Sequence, residues 1–129
     1  EGRVMFVHTP VSVGELGDKI TILRIKAERI SDAAKLRNVR YELDVLESIW
    51  NERRLAGKVD LLPLQEVNDT LWDIEDKIRV KESRQEFDEE FIWLARAVYK
   101  TNDKRAELKK QINVQAGSTL VEEKSYVNS

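Results

Sequence analysis

The chain has no cysteine, one histidine, two prolines and five glycines in 129 residues. Without cysteine there is no disulfide framework, no thiol nucleophile and no thiolate metal site. A lone histidine, His8, excludes a multi-histidine metal centre. It sits on an N-terminal arm, and no G-x-S-x-G elbow accompanies it, so a Ser-His-Asp triad has no place. No run of roughly 20 apolar residues occurs, so no segment reads as membrane-spanning. Neither sign of charge dominates: 22 Lys+Arg face 24 Asp+Glu, a net charge of −2. Lys35, Arg37 and Arg40 cluster, but Glu42 and Asp44 dilute them and no aromatic interleaves. Nucleic acid and membrane are therefore not expected partners.

Scarce glycine and proline favour long helices, and no glycine occurs between Lys58 and Ala116. Ser12 and Glu15 form an S-x-x-E capping box after Pro10. Leu16, Ile20, Leu23, Ala27 and Ile30 follow as one helical stripe, which Ile22 and Ile25 widen. Ser31 or Asp32 caps a second helix carrying Leu36, Val39, Leu43, Leu46 and Trp50, with Gly57 as its expected stop. Asp60 and Pro63 open a third, with Leu64, Val67, Leu71, Ile74 and Ile78 as its stripe. It runs out between Lys81 and Glu86. Asp88 caps a fourth, and Glu89 and Glu90 complement its positive N-terminal dipole.

In that fourth segment Phe91, Leu94, Val98, Leu108 and Ile112 share a seam that Thr101 and Arg105 interrupt. Thr and Asn are poor inside helices and good at caps, so a break is the favoured reading, with Thr101 or Asn102 starting a fifth helix. The alternative is one helix crossing a polar layer. The expected fold is all-α: an antiparallel bundle of four helices, five with the break. Residues 11–116 form the single domain, 1–10 an arm and 117–129 an extended tail. Glu1-Gly2-Arg3 looks like the end of a protease-cleavage site, so residues 1–4 read as a remnant before Met5 or as native sequence. With no secretory signal in view, the cytoplasm is the expected location.

Three polar sets invite chemistry. Glu66, Asp69, Asp73 and Asp76 recur at helical spacing, a strip that could hold Mg²⁺ between helices, as in all-α nucleotide pyrophosphohydrolases. A solvated face paired with Lys77, Arg79 and Lys81 is the plainer reading, and no cofactor is expected. Lys19, Lys26 and Arg29 border the broad face of the first helix, with Asp18 and Thr21 among them. Basic groups inside a bundle can hold a small anion, as in helical chorismate mutases, although stems snorkelling into water explain the same letters. Thr101, Asn102 and Arg105 would complete the lining of such a site. Trp50 lies on a seam and belongs to the core. Trp72 lies off its seam beside Asn68, Glu75 and Arg79, so Trp72 and Arg79 are candidates for a partner surface or for closure against the tail.

Some runs are more specific in wording. Pro10-Val11-Ser12-Val13-Gly14-Glu15-Leu16, Asp18-Lys19-Ile20-Thr21-Ile22-Leu23 and Ile25-Lys26-Ala27-Glu28-Arg29-Ile30 open the chain. Leu71-Trp72-Asp73-Ile74-Glu75-Asp76, Thr101-Asn102-Asp103 and Val121-Glu122-Glu123-Lys124-Ser125-Tyr126 follow. Together, from about Val11 to Tyr126, they resemble a family of short bacterial helical proteins of unknown function. The resemblance implies a stand-alone helical domain of bacterial or phage origin and carries over no catalytic residue. Gly17 departs from the larger residue expected there, which would loosen the opening turn. The favoured function is a non-enzymatic helical module that binds itself or a protein partner, with the broad face of the first helix as the surface. The alternative is a small-molecule or anion site inside the bundle.

Overall fold

A computed structural model describes residues 5–123. The expectations for residues 1–4 and for Lys124 to Ser129 lie outside the described residues. Four helices follow in order: α1 (Val13–Arg29), α2 (Ala33–Glu52), α3 (Leu62–Ser83) and α4 (Glu89–Ala116), with a 3₁₀ turn over Leu55–Gly57. No strand occurs among the described residues.

The caps show why the helices start where they do. Ser12 Oγ accepts from Glu15 N at 3.0 Å, Asp32 Oδ2 from Lys35 N at 2.9 Å and Asp88 Oδ1 from Phe91 N at 3.0 Å. Each satisfies a donor that the first turn would leave orphaned. Asp32, not Ser31, caps α2. Only half of the capping box at α1 is used, because the Glu15 carboxylate turns to Lys109. Pro63 sits in the first turn of α3, where its missing donor is harmless. Gly117 ends α4 at φ 67°, the left-handed conformation that favours glycine.

Two boundary expectations are corrected. The second helix ends at Glu52, short of Gly57, because Arg54 turns left-handed at φ 55°. The chain then coils through Leu55–Gly57, and buried Leu55, Val59 and Leu61 cover one end of the core. The expected break at Thr101 or Asn102 does not occur: α4 runs unbroken for 28 residues, and there is no fifth helix among the described residues. Thr101 and Arg105 form a polar layer inside a continuous helix.

The main core joins Ile20, Trp50, Leu55, Val59, Leu61, Leu64 and Ile112. Trp50 is buried, as its place on the seam implied. α1 is the central element and touches α2, α3 and α4, whereas α2 packs on α1 and the 3₁₀ turn. This overturns the expectation of a spare apolar face on α1. Ile20, Leu23 and Ile25 are all buried, and three helices cover that face. The Gly17 expectation reverses as well. A Cβ there would stand 2.8 Å from Leu61 Cδ2 and 3.4 Å from the Trp50 ring. The small residue lets the core close over α1 instead of loosening it.

A buried polar seam as the candidate functional site

α1 and α4 meet along a seam whose inner surface is polar. Gly14 makes the close approach possible, because a Cβ there would collide with the backbone carbonyl of Lys109. Asn113 Oδ1 accepts from Gly14 N at 2.6 Å, and Ser118 Oγ accepts from Val13 N at 3.1 Å. With Ser12 serving Glu15 N, the first-turn donors of α1 are occupied by the protein itself. They are closed to an anion.

One turn further on, Asp18 is 1% exposed. Arg105 grips it with both arms of its guanidinium: Nε donates to Oδ1 at 2.9 Å and Nη2 to Oδ2. Asn68 Nδ2 from α3 donates to the same Oδ1 at 2.9 Å and to Thr21 Oγ1 at 2.8 Å. Thr21 spends its own hydrogen on the Asp18 carbonyl. Asn102 Oδ1 accepts from Arg105 Nη1 at 3.3 Å. Lys109 lies between two carboxylates, with Nζ 2.8 Å from Glu15 and 2.8 Å from Glu122. Three helices and the chain after α4 thus contribute to one network.

The electrostatics follow from this pairing. Burial would raise the Asp18 pKa, but hydrogen bonds from Arg105 and Asn68 and the charges of Arg105 and Lys109 outweigh it, so the carboxyl sits below its usual range. Arg105 is raised, chiefly by its hydrogen bonds to Asp18. Burial would lower Lys109, yet its bonds to Glu122 and Glu15 prevail and its pKa is raised. Asp18, Arg105 and Lys109 are each paired with an opposite charge.

The residues singled out from sequence scatter. Arg105 and Asn102 belong to the seam, but Lys19 is exposed, and Lys26 is half-buried on another part of α1. Arg29 turns outwards to α3, with Nη1 2.6 Å from Asp73, Nη2 3.4 Å from Asp69 and its guanidinium carbon 5.8 Å from the Trp72 ring centroid. Its pKa is raised, first by the Asp73 hydrogen bond. Two of the four acidic-strip residues are therefore committed to Arg29, a partner from another helix and not the i,i+4 lysines. Asp76 is exposed, Glu66 points to a groove, and no group of three or more potential metal-ligating residues gathers among the described residues. Lys81 pairs with Asp88 and Glu90 at the α3–α4 turn.

Thr101 and Glu66 do come together. With Val67, Thr70, Lys104 and Leu108 they line an open groove of about 350 Å³ between α3 and α4. Trp72 is half-buried under Arg29, whereas Arg79 is exposed. Asn68, expected beside Trp72 on an outer face, is buried in the seam.

Sequence reasoning missed Asn68, Lys109 and Asn113 as members of a network, though Asn68 carries a legible signal. It falls on the third helix's stripe, four after Leu64 and three before Leu71, where an apolar residue belongs. It also assigned no role to the outer face of α4. There Ile92, Trp93 and Tyr99 are 57%, 66% and 54% exposed around Arg96. No helix among the described residues is long and apolar enough to cross a membrane.

The model of a family of unknown function, DUF6165, matches residues 7–129. No curated protein and no solved structure matches the chain.

Proposed function

The chain belongs to the family of unknown function DUF6165, and from that premise we propose that it is a non-enzymatic helical interaction module whose docking surface is the outer face of α4. The observation that carries this reading is the exposure of Ile92, Trp93 and Tyr99 on the outer side of a well-anchored helix. Trp, Tyr and Arg are the residue types that dominate binding energy at protein interfaces, and here they surround one another on a rigid scaffold. The charges of the α1–α4 seam are paired with one another. The pairing of buried Asp18 with Arg105 and of buried Lys109 with Glu15 fixes how α1 and α4 align, a role that polar layers fill in helical assemblies.

The reading takes the helices as an up-down antiparallel bundle. The pairings of Gly17 with Trp50, Arg24 with Glu47 and Asp18 with Arg105 support alternating directions. Bacterial origin and a cytoplasmic location stay part of the proposal. A second reading, a small-molecule site, rests on the α3–α4 groove, where Glu66 and Lys104 offer one charge of each sign.

The test is a photo-crosslinking amino acid at position 93 in producing cells, with the same group at exposed Lys77 as the control. A discrete protein adduct at position 93 and none at position 77 supports the α4 surface. Equal labelling at both, or none at either, refutes it.

A further inference from the structure

We infer that the occupant of this face is a second copy of the chain, packed with its α4 antiparallel to the first. This rests on the α4 reading above. At about 100° per residue, the side of α4 opposite Leu94, Arg105 and Ile112 carries Ile92, Arg96, Tyr99 and Asp103, and Trp93 lies on its flank. Leu94 and Ile112 are buried, whereas these five are exposed or nearly so along their length.

The charges on this face select the partner. Arg96 and Asp103 are seven residues apart, so they lie within about 20° of one line along the helix. Neither side chain has an ion-pair or hydrogen-bond partner among the described residues. A two-fold axis crossing the helix between Tyr99 and Lys100 brings Arg96 opposite Asp103 of the partner subunit, and Asp103 opposite Arg96 of the partner subunit. One self-complementary pattern thus yields two ion pairs, as an isologous interface requires. A parallel pairing would set Arg on Arg and Asp on Asp, which repel. The same axis brings bulky Trp93 towards Ala106 of the partner subunit and places Tyr99 and Lys100 at the centre. It also sets the two helix dipoles antiparallel.

Other occupants fit less well. An anionic membrane surface would favour a face of one sign, and Asp103 stands in the middle of this one. An acidic or a basic partner would leave half of the charges unmatched. One helix pair covers an area at the low end of specific interfaces, about 1,200 Å² in total, so the dimer is reversible and concentration-dependent.

Sedimentation velocity of the full chain, up to about 1 mM protein, tests this. The native chain should shift from monomer to dimer as concentration rises. Arg96→Asp and Asp103→Arg should each weaken the dimer about tenfold or more, and the double exchange should restore most of the affinity. Circular dichroism checks that all three variants keep their helices. A native chain that stays monomeric to about 1 mM overturns the inference, as does a dimer indifferent to the single exchanges or not rescued by the double one. The crosslinking experiment separates the two proposals. An adduct at position 93 with a different protein, beside a monomeric native chain, removes the second copy and keeps the docking surface. The absence of any adduct at position 93 removes both.

Discussion

Asp18 and Arg105, 87 positions apart in sequence, hold one another through two hydrogen bonds at the centre of the α1–α4 seam. The pair is asymmetric: the Asp18 side chain is 2% exposed and that of Arg105 28%. The carboxylate is thus the desolvated member and depends on the guanidinium and Asn68 for its solvation. Removing one partner of such a pair leaves an uncompensated charge, which costs more than the intact pair contributes.

Asp18→Asn should therefore destabilise the fold by about 3 kcal/mol at pH 7. The pH dependence has a definite sign. The Asp18 pKa in the fold lies below its unfolded value of about 3.9. Its stabilisation is present above the unfolded pKa and is lost as pH falls through the folded one. The gap between the native chain and Asp18→Asn should hold from pH 7 to about 5 and narrow below about 4. Urea unfolding at pH 7, 5 and 3 measures it, and a gap that does not change with pH would mean that Asp18 is not ionised in the fold.

Gly14→Ala and Gly17→Ala separate two kinds of close approach. Both gain helix propensity, about 1 kcal/mol. A Cβ at position 14 meets backbone, the Lys109 carbonyl, which cannot move without parting α1 from α4. At position 17 it meets the end of the Leu61 side chain, which can rotate. Gly14→Ala should lose about 1–3 kcal/mol net, and Gly17→Ala clearly less. Thermal midpoints of the two variants give the order, and the reverse order would contradict the packing described.

The tryptophans should divide by role. Trp50→Ala empties part of the core and should cost about 3–5 kcal/mol. Trp93→Ala leaves an exposed surface, so stability should change by less than about 0.5 kcal/mol. Chemical denaturation of both variants checks the contrast. A large loss at Trp93 would place that ring inside the fold.

Asn102→Ala tests the continuity of α4. The substitution removes a 3.3 Å hydrogen bond from Arg105 and raises helix propensity, so the two effects should nearly cancel, within about 0.5 kcal/mol. Circular dichroism should show undiminished helix. A loss of several residues of helix would mean that Asn102 acts as a cap.

Local chemistry made much of the fold readable. Ser12, Asp32 and Asp88 announce helix starts because a cap is a contact within three residues. The apolar stripes announce helix faces because burial repeats at helical spacing. The seam was harder to read, since Asp18 and Arg105 are neighbours only after α1 and α4 pack. Thr101 and Asn102 misled for a physical reason: the residue types that cap a helix also build polar layers inside one. The broad face of α1 looked spare because a stripe does not state how many helices cover it. Trp93 and Tyr99 became a surface only once the core side of α4 was known.

The most direct measurement is a double-mutant cycle on Asp18→Asn and Arg105→Gln, read by urea unfolding at pH 7. If the seam is a structural lock and function lies on the outer face of α4, each variant is strongly destabilised and the pair couples by about 2 kcal/mol. If Arg105 is instead kept for a ligand, its replacement should leave the fold as stable or more so, with additive effects. That result would contradict the account.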